Sequence, residues 1–304
     1  MIKENLKITR DIHSITGKLI VSKSDLLDIE KLEEISQKVI IASKVWVKLK
    51  ESFLFKDFYL QSQQPPYDTF CKKCGEQAIL NIFGSISLPV SVIEEYHFMR
   101  LKDEYTYKHS INSALLTICM ATQFYEDRQK INQIASASIT HDLGKSRIPS
   151  NILHSSKPLS EKDYSLIKEH TIYGAVLCSY YYGNPYIENT IVALQHHEKK
   201  NGSGYPLSIR LKDDVVSFVA VADIFDALIS KRPYRNEPFD IRGAIDVLCQ
   251  SVEKGELDEK HIKMMIHLNR KAPEPLSRIT YSKIYRGYYP TVNYYGIRRE
   301  IRCS

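Results

Sequence analysis

The chain has 304 residues, 43% of them hydrophobic and 26% charged, with a formal net charge of +6 and a pI near 8.8. That length is ample for one large domain or two modest ones, and the composition excludes a disordered or low-complexity chain. The charge leans toward an anionic partner, yet Lys and Arg are spread out, with no basic run of the kind that binds DNA or RNA.

No apolar stretch approaches the roughly 20 residues of a membrane span. The opening segment MIKENL lacks the layout of a secretory signal, so the expected location is cytoplasmic. The six cysteines, at 71, 74, 119, 178, 249 and 303, are then expected to be free thiols.

In chain order, residues 1–85 read as a small α/β accessory region. IHSITGKLIV, from Ile12 to Val21, predicts a strand, a turn at Gly17 and a second strand. Ser24 to Lys38 has helical spacing, and Val39 to Leu49 has the β-branched content of a further strand. QSQQPPYD, from Gln61 to Asp68, has the composition of a linker. Cys71-Lys-Lys-Cys74 is expected to be a turn with two free thiols. A structural zinc site needs four ligands, and only the distant His97 offers a third.

From residue 86 to 270 the pattern is helical. Thr106–Tyr125, Ile131–His141, Ser160–Tyr182, Ile187–His197 and Asp214–Lys231 all carry helical periodicity. Ser160 and Asp163 open one of these as a capping box after Pro158, while Pro149, Pro185, Pro206 and Pro233 fall in the gaps. Residues 271–304 form a Tyr- and Arg-rich tail without a clear period.

Five elements within this helical stretch carry chemistry. They are His109 in KHSINSALL, His141-Asp142 in THDLGK, His170 in IKEHTIYGAVL, His196-His197 in QHHEKKNGSGYP and Asp223 in VAVADIFDAL. The intervals 109–141, 142–170, 170–196 and 197–223 are 32, 28, 26 and 26 residues, each the length of one helix plus a connection. Successive helices of a bundle would then each offer a ligand to its interior. Taken singly, any of these is as readily a packing or capping residue. Together they point to metal, and imidazole mixed with carboxylate suits iron, manganese, zinc or nickel rather than calcium. Two metals about 3.5–4 Å apart can clamp a phosphate and generate hydroxide at neutral pH. Asp142, beside a His, is the candidate bridging carboxylate.

His141-Asp142-Leu-Gly-Lys145 with Ile148-Pro149, then His196-His197-Glu-x-x-Asn-Gly202-x-Gly204-Tyr205-Pro206, then Asp223-x-x-Asp226 and Arg232-Pro-Tyr-Arg235, resemble the HD-GYP family over about residues 100–250. The resemblance implies a mainly α, HD-type helical bundle that opens cyclic di-GMP to the linear pGpG, or onward to GMP, by a metal-bridging hydroxide. It implies two divalent transition-metal ions, iron or manganese. One would be held by His109, His141, Asp142 and Asp223, the other by Asp142, His170, His196 and His197. Asp142 and Lys145 become the catalytic residues, with Lys145 beside the scissile phosphate. Gly204, Tyr205 and Pro206 match the loop beside the substrate, and Arg232 and Arg235 match basic positions that meet phosphates and guanine edges. Some relatives hold a third metal with a Glu one helical turn before the first His; here that position is Tyr105, so two metals are expected. Another cyclic dinucleotide, such as cyclic GMP-AMP, stays open as the substrate. So does a non-enzymatic module that binds the nucleotide and signals. A homodimer contact or a signalling partner is left to residues 1–85.

Overall fold

Short antiparallel pairs open the chain in the computed structural model, which describes residues 6–38, 45–232, 235, 237–270, 274–281 and 284–290. β1 (Leu6–Lys7) pairs with β4 (Leu26–Leu27), and β2 (Ile12–His13) with β3 (Leu19–Val21). Gly17, at φ 84°, makes the turn between β2 and β3, a backbone region that disfavours a side chain. α1 (Ile29–Gln37) follows, capped by Asp28, whose Oδ1 accepts from the Lys31 amide at 2.7 Å. Of the strand expected over Val39–Leu49, residues 39–44 lie outside the described residues. Trp46–Lys48 forms β5, paired with β6 (Ser87–Pro89).

The expected linker at Gln61–Asp68 is not one. Its first residues end α2 (Phe53–Ser62) and its last begin α3 (Tyr67–Cys74), which is followed by α4 (Glu76–Ser85). Gln and Ser at a helix C-terminus followed by two prolines make a corner, and composition alone does not distinguish that from a flexible joint. All three helices pack on α6 (Glu104–Thr122), so the division at residue 85 falls within the packed helical body. Cys71 and Cys74 sit on helix α3 rather than in a turn. Cys71 is buried, and the Cys74 thiol donates to the Cys119 carbonyl at 3.7 Å. His97 lies on α5 (Val90–Lys102) with its ring against Phe53, so it does not join the cysteine pair.

α6 is the axis of the bundle. Thr106, Tyr107 and every residue from His109 to Ala121 are buried, the pattern of a helix enclosed on all sides. α7 (Arg128–Thr140) and α12 (Asp214–Ile229) lie against it. α10 (His170–Tyr182) pairs with α11 (Glu188–Gln195), and α11 closes onto α7 and α12. α13 (Ile241–Glu253) and α14 (Glu259–Asn269) pack on each other and on α12. The architecture is mainly α, with the small α/β segment at one end.

The single helix expected over Ser160–Tyr182 is two, α9 (Glu161–Lys168) and α10, broken at Glu169. The His170 ring explains the break. Its Nδ1 donates to the Ile167 carbonyl at 2.6 Å, taking an acceptor that a continuous helix would use for its own ladder. Ser160 caps α9 as expected, its hydroxyl accepting from the Asp163 amide at 3.1 Å.

Three sets of contacts tie the first strands and the described part of the tail to the bundle. Arg147, just after α7, donates from Nε and Nη2 to the His13 carbonyl at 3.1 and 2.9 Å and from Nη1 to the buried Glu95 at 2.8 Å. The hydroxyl of Tyr181 donates to the same Glu95 and accepts from the Ile15 amide at 2.8 Å. In the tail, the amides of Arg286 and Gly287 donate to the buried Asp246 of α13 at 2.9 and 2.8 Å. Pro233, expected in a gap, and Cys303 lie outside the described residues.

Candidate metal centre

Helix ends deliver most of the candidate ligands. His141 is the residue that terminates α7, and Asp142 opens the short 3-10 turn Leu143–Arg147. His170 is the first residue of α10, and His196 follows the last residue of α11. His109 comes from the second turn of α6, not its start, and Asp223 from the middle of α12. Gly144 makes the approach possible. A Cβ there would lie 1.9 Å from the His170 carbonyl oxygen and 2.4 Å from the Gly174 nitrogen, so only glycine lets the turn press onto α10.

All seven residues expected as ligands converge. His109, His141 and Asp223 place one candidate ligand atom each within 4.8 Å of the others, and so do His170, His196 and His197. Asp142 lies between the two groups. Its Oδ2 is 3.6 Å from His109 Nε2 and 3.5 Å from His141 Nε2. Its Oδ1 is 3.4 Å from His170 Nε2 and 3.7 Å from His196 Nε2. Two atoms buried inside this cluster, His141 Nε2 and Asp142 Oδ1, have no hydrogen-bond partner among the described residues. Buried polar atoms without partners are costly, and metal ions would relieve both.

The outward ring nitrogens are anchored. Nδ1 of His141 donates to the Ser138 carbonyl at 2.8 Å, that of His170 to the Ile167 carbonyl, and that of His196 to the Val192 carbonyl at 3.0 Å. His109 Nδ1 meets Asp226 Oδ2 at 2.6 Å. Each ring is thereby turned so that Nε2 faces the cluster, as metal-binding imidazoles are held. Asp226 is itself held by the Tyr67 hydroxyl, which in turn accepts from Asn112 Nδ2 at 3.0 Å. Asp226 stands in the quoted motif, but no ligand role follows from its spacing. One helical turn after Asp223, on the same face, is the signal that could have found it.

The electrostatics divide the histidines. Burial pushes His141 down to about 4 and His170 to about 3. Desolvation and the neighbouring His196 hold His197 well below its ordinary value. These rings are neutral at pH 7 and able to donate lone pairs. Burial opposes charge on His109 too, but its hydrogen bonds to Asp223 and Asp226 outweigh that and raise it to about 10. Asp142, despite burial, is held well below the carboxylate range by Lys145 and the surrounding histidines.

A cavity of about 420 Å³ opens over this cluster, and Lys145, His197, Tyr205, Asp223, Arg232 and Arg235 are on its wall. Lys145 Nζ reaches Asp142 Oδ2 at 2.6 Å. Tyr205 stacks on His197, ring centroids 4.7 Å apart and planes 27° apart. Gly204 and Pro206 are not on the cavity wall. A Cβ at Gly204 would lie 2.4 Å from the His197 carbonyl oxygen, so this glycine lets the loop pack against the His197 backbone. Glu198, buried beneath that loop, accepts from the amides of Leu207 and Ile209 at 2.6 and 3.1 Å and pins it.

The two arginines differ. Arg232 lies over the ring of Tyr105, 4.2 Å from guanidinium carbon to ring centroid. Arg235 is buried, and its Nη2 donates to the carbonyls of Ala227, Leu228 and Ser230 at 2.9, 2.7 and 2.6 Å. It closes the C-terminus of α12, whose last carbonyls have no intrahelical donor. Arg235 is on the cavity wall as expected of a residue that meets substrate, with Nη2 given to the backbone.

A family model for the HD domain matches residues 79–260. A cyclic di-GMP phosphodiesterase of Thermotoga maritima is 32% identical over 150 residues, covering 48% of this chain and 39% of that protein. A cyclic di-GMP phosphodiesterase of Pseudomonas aeruginosa is 32% identical over 142 residues, covering 45% and 33%. A 3'3'-cGAMP-specific phosphodiesterase of Vibrio cholerae is 26% identical over 204 residues, covering 66% and 44%. The chain therefore spans less than half the length of the curated relatives it matches. Among the described residues, no helix is long and apolar enough to cross a membrane.

Proposed function

The chain belongs to the HD domain family, and we propose that it is a metal-dependent phosphodiesterase of the HD-GYP kind that opens cyclic di-GMP. The observation that carries this is Asp142, one carboxylate facing two groups of candidate ligand atoms, beside a cavity whose wall carries Lys145, His197 and Asp223. His109, His141 and Asp223 would hold one ion, His170, His196 and His197 the other, with Asp142 common to both. Imidazole and carboxylate donors in this ratio suit iron or manganese. Such ions supply Lewis-acid charge for a phosphate and acidify a water.

The chain's own groups do the rest. Lys145 stands at the cavity wall with its ammonium on Asp142, where it can neutralise a phosphate oxygen or give a proton to the departing 3′ oxygen. Arg232, Lys157 and Lys254 add positive charge to the cavity wall, which suits a substrate with a second phosphate. Tyr205 offers a ring edge beside His197 for a base or sugar.

Cyclic GMP-AMP is the second reading, favoured by the name of the Vibrio cholerae relative. Incubating reduced, metal-loaded protein with each cyclic dinucleotide and separating the products by chromatography tests both. Linear dinucleotide or mononucleotide above a metal-only control supports the proposal. Binding without turnover of any of them identifies a non-enzymatic module instead.

A further inference from the structure

Tyr105 lies four residues before His109 on α6, so the two side chains project from one face of the helix. Their rings are nearly parallel, 12° apart, with centroids separated by 6.4 Å. The same phenol ring carries the Arg232 guanidinium at 4.2 Å. Tyr105 lines the cavity, and its hydroxyl oxygen is buried with no hydrogen-bond partner among the described residues. Buried tyrosine hydroxyls find partners in folded proteins, and one left bare on a cavity wall marks where a ligand atom belongs.

We infer that Tyr105 is a substrate-contacting residue. Its hydroxyl donates a hydrogen bond to the half of a cyclic dinucleotide that is not being cleaved, while its ring holds Arg232 against the phosphate of that half. The inference rests on the reading of this cavity as a cyclic dinucleotide site and adds what recognises the substrate's second half. The stacking supplies a reason for the arginine to be useful. Among the described residues its one side-chain hydrogen bond is from Nε to the Ala227 carbonyl, at 3.3 Å. A guanidinium so lightly tied would sample many rotamers, and the aromatic ring restricts it to a plane with its remaining donors available to an anion. Because the ring also lies beside the candidate ligand His109, it sets the distance between the reacting phosphodiester and the remote cation. A substrate with a single phosphodiester has nothing to place there.

The test compares two substrates, a cyclic dinucleotide and the small diester bis(p-nitrophenyl) phosphate, in the parent, Tyr105→Phe and Tyr105→Leu, with metal content measured in each. The expected result is a five- to twentyfold rise in KM for the cyclic dinucleotide in Tyr105→Phe. In Tyr105→Leu, where Arg232 loses its platform, the rise is larger. In both variants kcat/KM for the cyclic dinucleotide falls at least fivefold more than for the small diester. Equal losses on the two substrates, or loss of metal, would mean a structural role and overturn the inference. An unchanged KM in Tyr105→Phe overturns it while leaving the proposed function standing. A parent that hydrolyses the small diester but no cyclic dinucleotide overturns the proposed function, and the inference with it.

Discussion

His109 and Asp226, 117 residues apart, share a hydrogen bond of 2.6 Å between Nδ1 and Oδ2. That bond decides which way the His109 ring faces, because Nε2 then points to Asp223 Oδ1 at 2.9 Å and into the ligand cluster. Asp226 touches none of the other ligand residues in the same way. It acts on the site through the imidazole it holds.

Asp226→Ala should therefore lower metal affinity roughly 10–100-fold at the His109 position, the usual cost of losing the partner that orients a ligating imidazole. Asp226→Asn, which keeps a hydrogen-bond acceptor but not the charge, should fall between the variant and the parent. Titration against a chelator of known affinity measures this, and full retention of metal by the Ala variant would remove the orienting role from Asp226.

Asp142→Ala should empty both positions and reduce turnover by at least about a thousandfold, since one carboxylate faces both groups. His170→Ala should lose mainly one ion. Elemental analysis of fully loaded parent protein should give about two ions per chain, with Tyr105 standing where a third site would need a carboxylate. A value near three, or an Asp142 variant that keeps both ions, contradicts the shared-carboxylate arrangement.

The arginines separate binding from stability. Arg232→Ala should raise KM more than it lowers kcat, the pattern of an interaction present equally in ground and transition states. Arg235→Ala should cost roughly 1–2 kcal/mol of folding stability instead, because the carbonyls of Ala227, Leu228 and Ser230 at the end of α12 lose one donor. Urea unfolding of both variants beside steady-state kinetics distinguishes the two. Equal stability loss in Arg232→Ala and Arg235→Ala would show that both serve the backbone.

His261 gives a pH dependence away from the ligand cluster. It is fully buried on α14 against Phe218, with neither ring nitrogen hydrogen-bonded among the described residues, and burial and then Lys260 hold it down to about 4. An unfolded histidine titrates near 6.5. Between those values the unfolded chain binds a proton that the folded chain refuses, so stability is intact above about 6.5 and is lost as the pH falls toward 4. The loss attributable to this ring is at most about 3 kcal/mol. His261→Leu should flatten the difference curve against the parent across that window. Parallel curves for parent and variant from pH 7 to 4 would show that the ring gains a proton partner in the fold.

The convergence of these seven side chains is legible in the sequence because they recur at helix-length intervals beside short, distinctive loops. What spacing could not show is which side chains meet across the bundle. Asp226 is a helical Asp until α12 is laid against α6, and Arg235 is a cation near a phosphate site until its guanidinium is seen to close the end of α12. QSQQPP reads as a linker because a helix end and a proline corner use the same residues as a flexible joint. The break at Glu169 depends on the His170 ring choosing the Ile167 carbonyl, a local competition that periodicity averages away. The motif does not show that the missing Cβ of Gly204 makes room for the backbone of His197 and Glu198.

The contacts that finish the centre are distant in the chain. Tyr67 to Asp226 spans 159 residues and His109 to Asp223 114. Closing loops of that size costs entropy before any contact repays it, so such pairings form late in folding. During synthesis the position formed by His109, His141 and Asp223 cannot be complete until α12 has left the ribosome and turned back onto α6. Filling of that position would therefore be a readout of finished tertiary structure: a helical but unassembled intermediate would carry all seven candidate ligands and still bind an ion there only weakly.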